Sequence, residues 1–554
     1  MMLALIVMCA SNAFAGEIYN RTGLKINKNG SYSWWLGYDY DESSKTATLK
    51  GLYYEYQFTK WSDVEYKQAT IVPGADLEIT IPATIDVDGT SYAVTAIGEE
   101  AFTRKVTSIT YNSLKQITKV DFSQATNLKT IGKNAFRYLT EVSGAVNLPY
   151  GVTSIGETAF YNSDFTSVDI PETVMTIGSD AFKKMDYLEN VTLHWYVIPS
   201  GVNGNFLEDC AYLDECSINY PVYVPLISQE WYTKFFTNYD KKLVGSKSYA
   251  VVAYYDAKFV KKNVTSCTLG DGNWSTVCFD RPMKVPAGVT VYAITEVDTA
   301  AYSGQEEGGD QEGTGTLELV ASEGDALYAG AYLLNCSDVK SVAKCGAETA
   351  SAARFYEVSD GKKQASGNWL SGNIMQIPAD TTTTRTPEGV TSSNIGYFGY
   401  AFYTNGAKKA YCDLKGELQV SDTDGEMPSR YYCLTTYSSK DGESKIYGLA
   451  YQSPKVAKNL IPSLIRDGYE DGEGVIAANP MAFLGADSTL VYSTEEGSIK
   501  TFNFVVKDET TTAITEVNAE KTVVKEGIYD LAGRRLQSIP EKGVFIVNGK
   551  KYIK

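Results

Sequence analysis

The chain has 554 residues, with 50 lysines and arginines against 67 aspartates and glutamates, a formal net charge of −17, and one histidine. A surface this negative repels phosphate backbones and anionic lipid, so we expect neither nucleic acid nor a membrane surface as the main partner. A single imidazole, His194, excludes sites that need two histidines, including most zinc, copper and non-haem iron centres. Hydrophobic residues make up 44% of the chain, which is enough to build packed cores.

Residues 1–15 predict a signal peptide. They form an apolar run of the expected length, and Ala13 and Ala15 stand at −3 and −1 of a cleavage site before Gly16. Lipid attachment at Cys9 is an alternative, although the residue before it is a bulky methionine where such signals have a small residue. No later run reaches the roughly 20 apolar residues that a membrane-spanning helix needs. We therefore expect a secreted or cell-surface protein.

One hexapeptide, Ile-Gly-x-x-Ala-Phe, occurs four times in the N-terminal part. The copies are Ile97–Phe102, Ile131–Phe136, Ile155–Phe160 and Ile177–Phe182, at intervals of 34, 24 and 22 residues. Short apolar-polar-apolar runs precede the copies, and one follows the last: Ile79–Ile81, Val120–Phe122, Val146–Leu148, Val168–Ile170 and Val191–Leu193. A repeat of this period predicts a solenoid, in which each coil buries its apolar face against the next.

The residue types of the repeat suggest the form of each coil. We expect the motif glycines to lie at turns with positive φ, and the Ala-Phe pairs to form short helical turns whose rings fill the core between coils. Proline after a strand ends it, because proline cannot donate to a ladder. The glycines are Gly98, Gly132, Gly156 and Gly178, and the prolines are Pro82, Pro149 and Pro171.

A strand-proline segment followed by Ile-Gly-x-x-Ala-Phe resembles the coil of the BspA-like leucine-rich repeat family, over about residues 76–195. The resemblance implies a bacterial cell-surface or secreted protein, in a family where many members have proposed adhesive or host-binding roles. It brings no catalytic residues with it. The long first interval and the small number of coils imply a short, slightly irregular solenoid.

The polar middle residues of the strand-like runs are the candidate binding residues. If the strands stack in register, these side chains form a ladder on one exposed face, which is where a solenoid presents a ligand surface. They are Thr80, Asp121, Asn147, Asp169 and Thr192. The alternative is that they only solvate the sheet, since the row contains no aromatic residue or arginine, the types that dominate binding hot spots.

From about residue 246 the pattern changes to short alternating runs separated by turn residues, which predicts antiparallel β-sandwich-like modules. Trp274–Phe279 with Val285–Tyr292, and Val475–Leu484, are similar to β-rich modules of exported Bacteroidetes proteins. Gly304–Thr316 is typical of a flexible hairpin tip. The 41 tyrosines suit half-buried strands, and they also suit stacking on sugar rings.

The C-terminal residues form a strand-turn-strand pattern followed by an Asn-Gly hairpin turn. Residues 521–554 carry eight basic and three acidic side chains, a net charge of +5 in an otherwise acidic chain. This tail resembles the sorting domains of type IX secretion substrates; a hairpin that only covers a sheet edge is the alternative. The predicted segments are the signal peptide 1–15, an N-terminal β cap 16–75, the solenoid 76–195, its C-terminal cap 196–245, the β-rich module or modules 246–505, and the tail 506–554.

Eight cysteines remain after signal-peptide cleavage, and an even number in an oxidising compartment permits disulfides with many connectivities. They are Cys210, Cys216, Cys267, Cys278, Cys336, Cys345, Cys412 and Cys433. Two of them, Cys278 and Cys433, lie inside strand-like runs, where a free cysteine is a small buried hydrophobe. The cysteines therefore support no functional assignment.

Catalytic and metal-binding patterns are weak. The single histidine, His194, has no Gly-x-Ser-x-Gly elbow to accompany it, so we expect it to be structural. Asp39–Glu42 and Asp422–Gly425 contain fragments of a calcium-loop pattern without its remaining ligands, and ordinary acidic turns explain them better. The sequence thus predicts no catalytic residue, no metal and no cofactor.

The leading hypothesis is a non-enzymatic, exported or cell-surface protein that serves adhesion or protein recognition through the leucine-rich-repeat face, with a host or matrix protein as partner. The alternative is a glycan-binding accessory protein that uses aromatic residues of the β-rich region. Hydrolysis by a carboxylate pair is a third hypothesis, which would need a recognisable catalytic fold around the pair. The sequence leaves the oligomeric state open.

Overall fold

A computed structural model shows a mainly β chain, as predicted. It describes residues 15–29, 32–57, 64–68, 75–105, 111–112, 114, 116–239, 249–259, 263–298, 311–337, 351–365, 367–376, 384–386, 389–391, 399–404, 407–413, 431–439, 442–452, 481–485, 499–507, 528–530, 535–536, 544–547 and 550–553. The signal peptide up to residue 14, Cys345, Asp422–Gly425 and the first part of Val475–Leu484 lie outside these ranges. The chain divides into two compact units, Met1–Val506 and Lys507–Lys554.

Eight strands form the N-terminal part of the first unit. They are β1 (Ala15–Asn20), β2 (Leu24–Asn29), β3 (Trp34–Asp41), β4 (Thr46–Gln57), β5 (Val64–Gln68), β6 (Ala75–Thr80), β7 (Thr84–Val87) and β8 (Thr90–Ile97). The buried side chains of β3 and β4, such as Trp34, Leu36 and Leu52, begin the hydrophobic core. Strand β4 pairs in parallel with β8, with Leu49 opposite Ile97, so the first hexapeptide begins on the N-terminal sheet.

The hexapeptides lie on successive rungs of one parallel sheet. The strands of this region are β9 (Arg104–Lys105), β10 (Tyr111–Asn112), β11 (Ile117–Asp121), β12 (Thr130–Ile131), β13 (Ala145–Asn147), β14 (Ser154–Ile155), β15 (Ser167–Ile170), β16 (Thr176–Ile177), β17 (Asn190–Leu193) and β18 (Gly201–Val202). The motif isoleucines pair in register from β8 through β12, β14 and β16. This confirms that the four copies stack as neighbouring coils.

The motif phenylalanines form a continuous stack inside the coils. Phe102, Phe136, Phe160 and Phe182 are fully buried, with ring centroids 4.9–5.1 Å apart and interplanar angles of 4–17°. The rings fill the core between coils, as predicted. The motif residues around them form turns.

The predicted role of the motif glycines is wrong. Among the described residues of the motif, positive φ falls on the fourth position instead, with values of 53–58° at Glu100, Asn134, Thr158 and Asp180. The glycines are needed for close approach, because a Cβ on Gly156 would lie 2.5 Å from the backbone nitrogen of Lys133 in the preceding coil. The motif excludes a side chain for steric reasons, so that adjacent coils can pack backbone to backbone.

The segment after the last hexapeptide packs over the end of this core. It contains η1 (Gly204–Leu207), η2 (Leu213–Glu215), β19 (Val222–Pro225), η3 (Leu226–Ser228) and α1 (Gln229–Tyr239). Tyr232 and Phe236 of α1 are buried, and the Tyr232 hydroxyl donates to Trp195 O at 3.0 Å. Among the described residues, no helix has the length and apolarity that crossing a bilayer requires.

The β-rich region has a second hydrophobic core, separate from that of the repeats. Its strands are β20 (Val251–Phe259), β21 (Ser266–Cys267), β22 (Asn273–Phe279), β23 (Met283–Lys284), β24 (Thr290–Asp298), β25 (Gln311–Ala321), β26 (Ala326–Leu327), β27 (Gly330–Cys336), β28 (Ser351–Glu357), β29 (Leu370–Gln376), β30 (Thr384–Thr386), β31 (Gly389–Thr391), β32 (Gly399–Thr404), β33 (Ala407–Asp413), β34 (Tyr431–Ser438), β35 (Lys445–Gln452), β36 (Met481–Gly485) and β37 (Ile499–Val506). Most pairs are antiparallel, but β25 with β37 and β21 with β35 are parallel. Residues 311–316, expected in a hairpin tip, belong to β25.

One sheet passes from the repeats into the β-rich region. Its order is β13-β15-β17-β19-β20-β28-β23-β26, and β19 pairs with β20 in parallel, with Tyr223 opposite Val252. The segment expected as a C-terminal cap therefore contributes an inner strand to a sheet that continues beyond it.

The second unit contains a four-stranded antiparallel sheet. Its strands are β38 (Ile528–Asp530), β39 (Arg535–Leu536), β40 (Val544–Val547) and β41 (Lys550–Ile553), in the order β39-β38-β40-β41. Strands β40 and β41 form an antiparallel pair around the predicted Asn-Gly turn, whose two residues lie outside the described part. The short strands of this tail thus form a sheet of their own.

Candidate binding face on the repeat region

The five candidate binding residues lie on two sheets. Thr80 on β6 is opposite Asp121 on β11. On the longer sheet, Asn147, Asp169 and Thr192 are in register on β13, β15 and β17. Strands β11 and β13 do not pair as a ladder, and the two rungs meet through a hydrogen bond from Ser143 N–H to Thr118 O at 3.1 Å. The predicted row is therefore divided between Asp121 and Asn147.

The exposure of these side chains differs along the row. Asn147 is exposed, whereas Thr80, Asp121 and Asp169 are partly exposed. Thr192 is only 7% exposed, so the expectation that it lies on an exposed face is wrong. The Thr192 side chain is short, and the longer side chains of Asp169 and Tyr223 lie in register on either side of it. Thr192 therefore has little contact with solvent.

The structure extends the row by a residue that the sequence reasoning assigned to the cap. Tyr223 on β19 is opposite Thr192, and its ring lies 4.6 Å from that of Tyr356 on β28, at 51°. Both tyrosines are partly exposed, and burial together with Tyr356 raises the pKa of Tyr223. A signal was available, because Val222–Pro225 repeats the apolar-polar-apolar-proline pattern of the earlier coils.

His194 is held at both ring nitrogens beside this row. Its Nε2 lies 2.7 Å from Asp169 Oδ1, and its Nδ1 lies 2.9 Å from the hydroxyl of Tyr254 on β20. Burial raises the pKa of Tyr254 well above its ordinary value. The contacts connect a repeat strand to the first strand of the β-rich region, as expected of a structural histidine.

An ion pair continues the same row of contacts. Arg354 on β28 donates from Nε and Nη2 to both carboxylate oxygens of Asp256 on β20, at 2.7 and 2.9 Å. Its guanidinium also lies 4.2 Å from the centroid of the Tyr254 ring. A bidentate geometry of this kind is rigid and specific. It supports the sheet from the side of the β-rich region.

The remaining chemical candidates have structural partners. The Asp41 carboxylate accepts hydrogen bonds from the Ser43 hydroxyl and from Ser44 N–H and Ser43 N–H, which lower its pKa. The expectation that Asp39–Glu42 is an acidic turn is wrong for its first three residues, which belong to β3; only Glu42 lies in the turn that follows. Cys210 and Cys278 are buried free thiols whose pKa is raised by burial. Within the described ranges, no three acidic, histidine or cysteine side chains are grouped to hold a metal.

Comparison with known proteins identifies the repeats. Residues 105–229 match the BspA type leucine rich repeat region in six copies, a span that starts later and ends later than the one expected from the hexapeptides. The chain has no significant match among curated proteins. The matched span contains four of the five candidate residues, Asp121, Asn147, Asp169 and Thr192, as well as Tyr223, whereas Thr80 lies before it.

Two solved structures show a weak likeness. A leucine-rich repeat protein from Bacteroides ovatus ATCC 8483 is 18% identical, over 34% of this chain and 53% of that one, with a TM-score of 0.19. A leucine rich cell surface protein from Faecalibacterium prausnitzii A2-165 is 16% identical, over 36% of this chain and 70% of that one, with a TM-score of 0.15. The chain thus spans about half the length of the Bacteroides protein. By its own sequence and stacked coils, this chain carries a BspA-type leucine-rich repeat region over residues 105–229.

Proposed function

We propose that this chain is an exported, non-enzymatic protein that recognises another protein through the ladder face, defined as Asn147, Asp169, Tyr223 and Tyr356. Thr192 is in register with this row but is buried between Asp169 and Tyr223. The observation that carries the proposal is the register of this row, which brings polar side chains and a tyrosine pair onto one sheet face. The BspA-type repeats support it, since leucine-rich repeat proteins commonly bind proteins. Thr80 and Asp121 lie on the neighbouring sheet as a separate, smaller part of the surface.

The ladder face suits protein recognition better than the five residues predicted from the sequence, because it includes two tyrosines. Tyrosine is among the residue types that dominate hot spots, since its ring contributes apolar contact and its hydroxyl keeps a polar end. Asp169 and Asn147 supply a carboxylate and an amide two and three strands away from Tyr223 in the same sheet. Such a surface fits an apolar and hydrogen-bonding segment of a folded partner.

The proposal includes the location and architecture that the sequence predicts. The signal peptide would export the chain, and the basic C-terminal sheet would act as a sorting or anchoring domain outside the cell. A repeat solenoid would then present the ladder face, with β-sandwich-like modules beyond it. A host or matrix protein is the partner class that these features favour.

The test uses the full chain, because β19 pairs with β20 and a cut near residue 245 would separate two strands of one sheet. Binding is measured to immobilised fibronectin, laminin, fibrinogen, collagen and mucin. We expect Tyr223→Ala to weaken binding about tenfold, and Asn147→Ala to weaken it about threefold. Tyr150→Ala is the matched control, since Tyr150 is 43% exposed on the repeats but outside the ladder face.

Two results would contradict the proposal. One is binding that Tyr223→Ala and Asn147→Ala leave unchanged, or that Tyr150→Ala reduces equally. The other is silence on all five proteins together with glycan-array binding, which would favour the alternative function. Among the described aromatic side chains of the β-rich region, Trp274 is 4% and Tyr332 2% exposed, so these two rings are closed to a sugar, whereas Tyr328 is 42% exposed.

A further inference from the structure

Three tyrosines form a second aromatic surface on the last coils, outside the ladder face. Tyr212 and Tyr220 stack with their ring centroids 4.6 Å apart at 10°, and the Tyr187 ring lies 6.4 Å from Tyr212 at 88°. Tyr187 is 53% exposed, and the other two are partly exposed. We call these three residues the tyrosine patch. Aromatic rings in contact with solvent on a folded coil are candidates for recognition.

The repeat register places a carboxylate beside the patch. Val191 on β17 is opposite Val222 on β19, so the residues two positions earlier, Glu189 and Tyr220, are neighbours on adjacent rungs. A second carboxylate comes from η2, which begins directly after Tyr212 and ends at Glu215. Both glutamates are exposed.

The electrostatics of the patch are negative. Residues 185–233 contain seven acidic residues and no lysine or arginine. Partial burial raises the pKa of Tyr220, and the charges of Glu215 and Glu189 raise it further, so both carboxylates act on this ring. Ring faces attract cations through their quadrupole, and nearby carboxylates add to the attraction.

We propose that the tyrosine patch, together with Glu189 and Glu215, docks a lysine- or arginine-bearing segment of another protein. The rings offer faces and an apolar floor for the long aliphatic stems, and the two glutamates pair with the charged heads. Carboxylates also accept hydrogen bonds from sugar hydroxyls, but only a cationic partner neutralises the negative charge of the patch, so charge complementarity favours lysine or arginine. The patch lies at the start of β17 and β19, apart from the ladder face, so the inference does not depend on the proposed function.

The first test separates the patch from the general negative charge of the chain. Fluorescence anisotropy measures binding of a fluorescein-labelled peptide of alternating arginine and glycine to the full chain, with a glutamine-glycine peptide as reference. We expect the double variant Glu189→Gln and Glu215→Gln to weaken arginine-peptide binding about tenfold at low salt. The matched control, Glu323→Gln with Asp360→Asn, removes the same number of negative charges from exposed positions in the β-rich region. We expect it to change the affinity by at most about twofold, because salt screens charges that are far from the patch.

The second test isolates the rings. Tyr187→Leu keeps an apolar side chain without a π face, and we expect it to weaken binding about fivefold, whereas Tyr187→Phe keeps the wild-type affinity. Circular dichroism confirms that each variant is folded. The proposal would be overturned if the control pair weakened binding equally, or if Tyr187→Leu left the affinity unchanged. It would also be overturned if the patch variants lost glycan-array binding that the wild type shows while their arginine-peptide binding stayed intact.

Discussion

In the repeat region Ile155 pairs with Ile177, 22 residues later, whereas in the β-rich region Gln311 pairs with Ile499, 188 residues later. Each coil meets its successor, so one motif suffices to specify every contact of the stack. In the β-rich region some strands pair with the next strand in the chain, as β34 does with β35, but others need a partner from far along the chain, as β25 does with β37. The difference teaches that local periodicity encodes a stack directly, while long-range pairing must be found during folding.

The largest expected effect tests whether the two regions unfold together. Phe160→Ala removes a ring from the middle of the phenylalanine stack, and Phe355→Ala removes a buried ring of the second core. Each cavity should cost about 4 kcal/mol of unfolding free energy. Because β19 and β20 share one sheet, we expect both variants to shift the same transition in urea unfolding followed by circular dichroism. Two independent transitions, one for each variant, would show that the regions are separate.

The next effect concerns the close packing of coils. Gly156→Ala places a Cβ 2.5 Å from Lys133 N, and the backbone of both coils must shift to admit it. We expect a loss of about 3 kcal/mol. Gly144→Ala is the control, since Gly144 has φ 94° and open space around it, and should cost only about 1 kcal/mol through backbone strain. Thermal unfolding of both variants measures these losses. A larger loss for Gly144→Ala than for Gly156→Ala would contradict the steric role of the motif glycine.

Ion pairs should differ between the sheet junction and the repeat surface. Arg354→Ala leaves the Asp256 carboxylate, 18% exposed, without its bidentate partner and should cost about 2 kcal/mol. Lys133→Ala removes a pair with Glu157 in which both side chains are about half exposed, and should cost under about 0.5 kcal/mol. Urea unfolding midpoints at low and high salt measure both losses. Equal losses for Arg354→Ala and Lys133→Ala would show that the ion pair at the sheet junction contributes no more than one on the repeat surface.

The smallest effect is a pH dependence in the repeats. Burial, with Glu141 and Asp186 nearby, raises the pKa of Asp164 from 3.8 to about 6. A carboxyl with a raised folded pKa disfavours its charged form, so its cost is absent below about pH 4 and complete above about pH 6. With allowance for solvent screening, Asp164→Asn should gain about 1 kcal/mol over wild type at pH 7 and nothing at pH 4. A gain of the same size at both pH values would contradict the assignment.

The sequence predicted the hexapeptide rungs and the phenylalanine stack because each depends on a fixed interval along the chain. The predicted role of the motif glycines was wrong, because a glycine in a repeat is compatible both with a positive φ and with a close approach of two backbones. The sequence alone does not distinguish these two causes. Thr192 was expected to be exposed, because an alternating pattern identifies the face of a strand but not how far its neighbours cover it. The sequence also places Tyr223 in a cap, although the strand-proline pattern of Val222–Pro225 matches that of the earlier coils.

By itself, the sequence determined that this chain stacks BspA-type coils, since spacing and residue type recur where the same contact recurs. The tertiary structure decided that β19 continues into β20, that Tyr356 meets Tyr223, and that Tyr187, Tyr212 and Tyr220 gather beside two glutamates. These contacts join residues from different coils and strands with no shared period. Their positions follow from strand register and packing, which exist only once the backbone has folded.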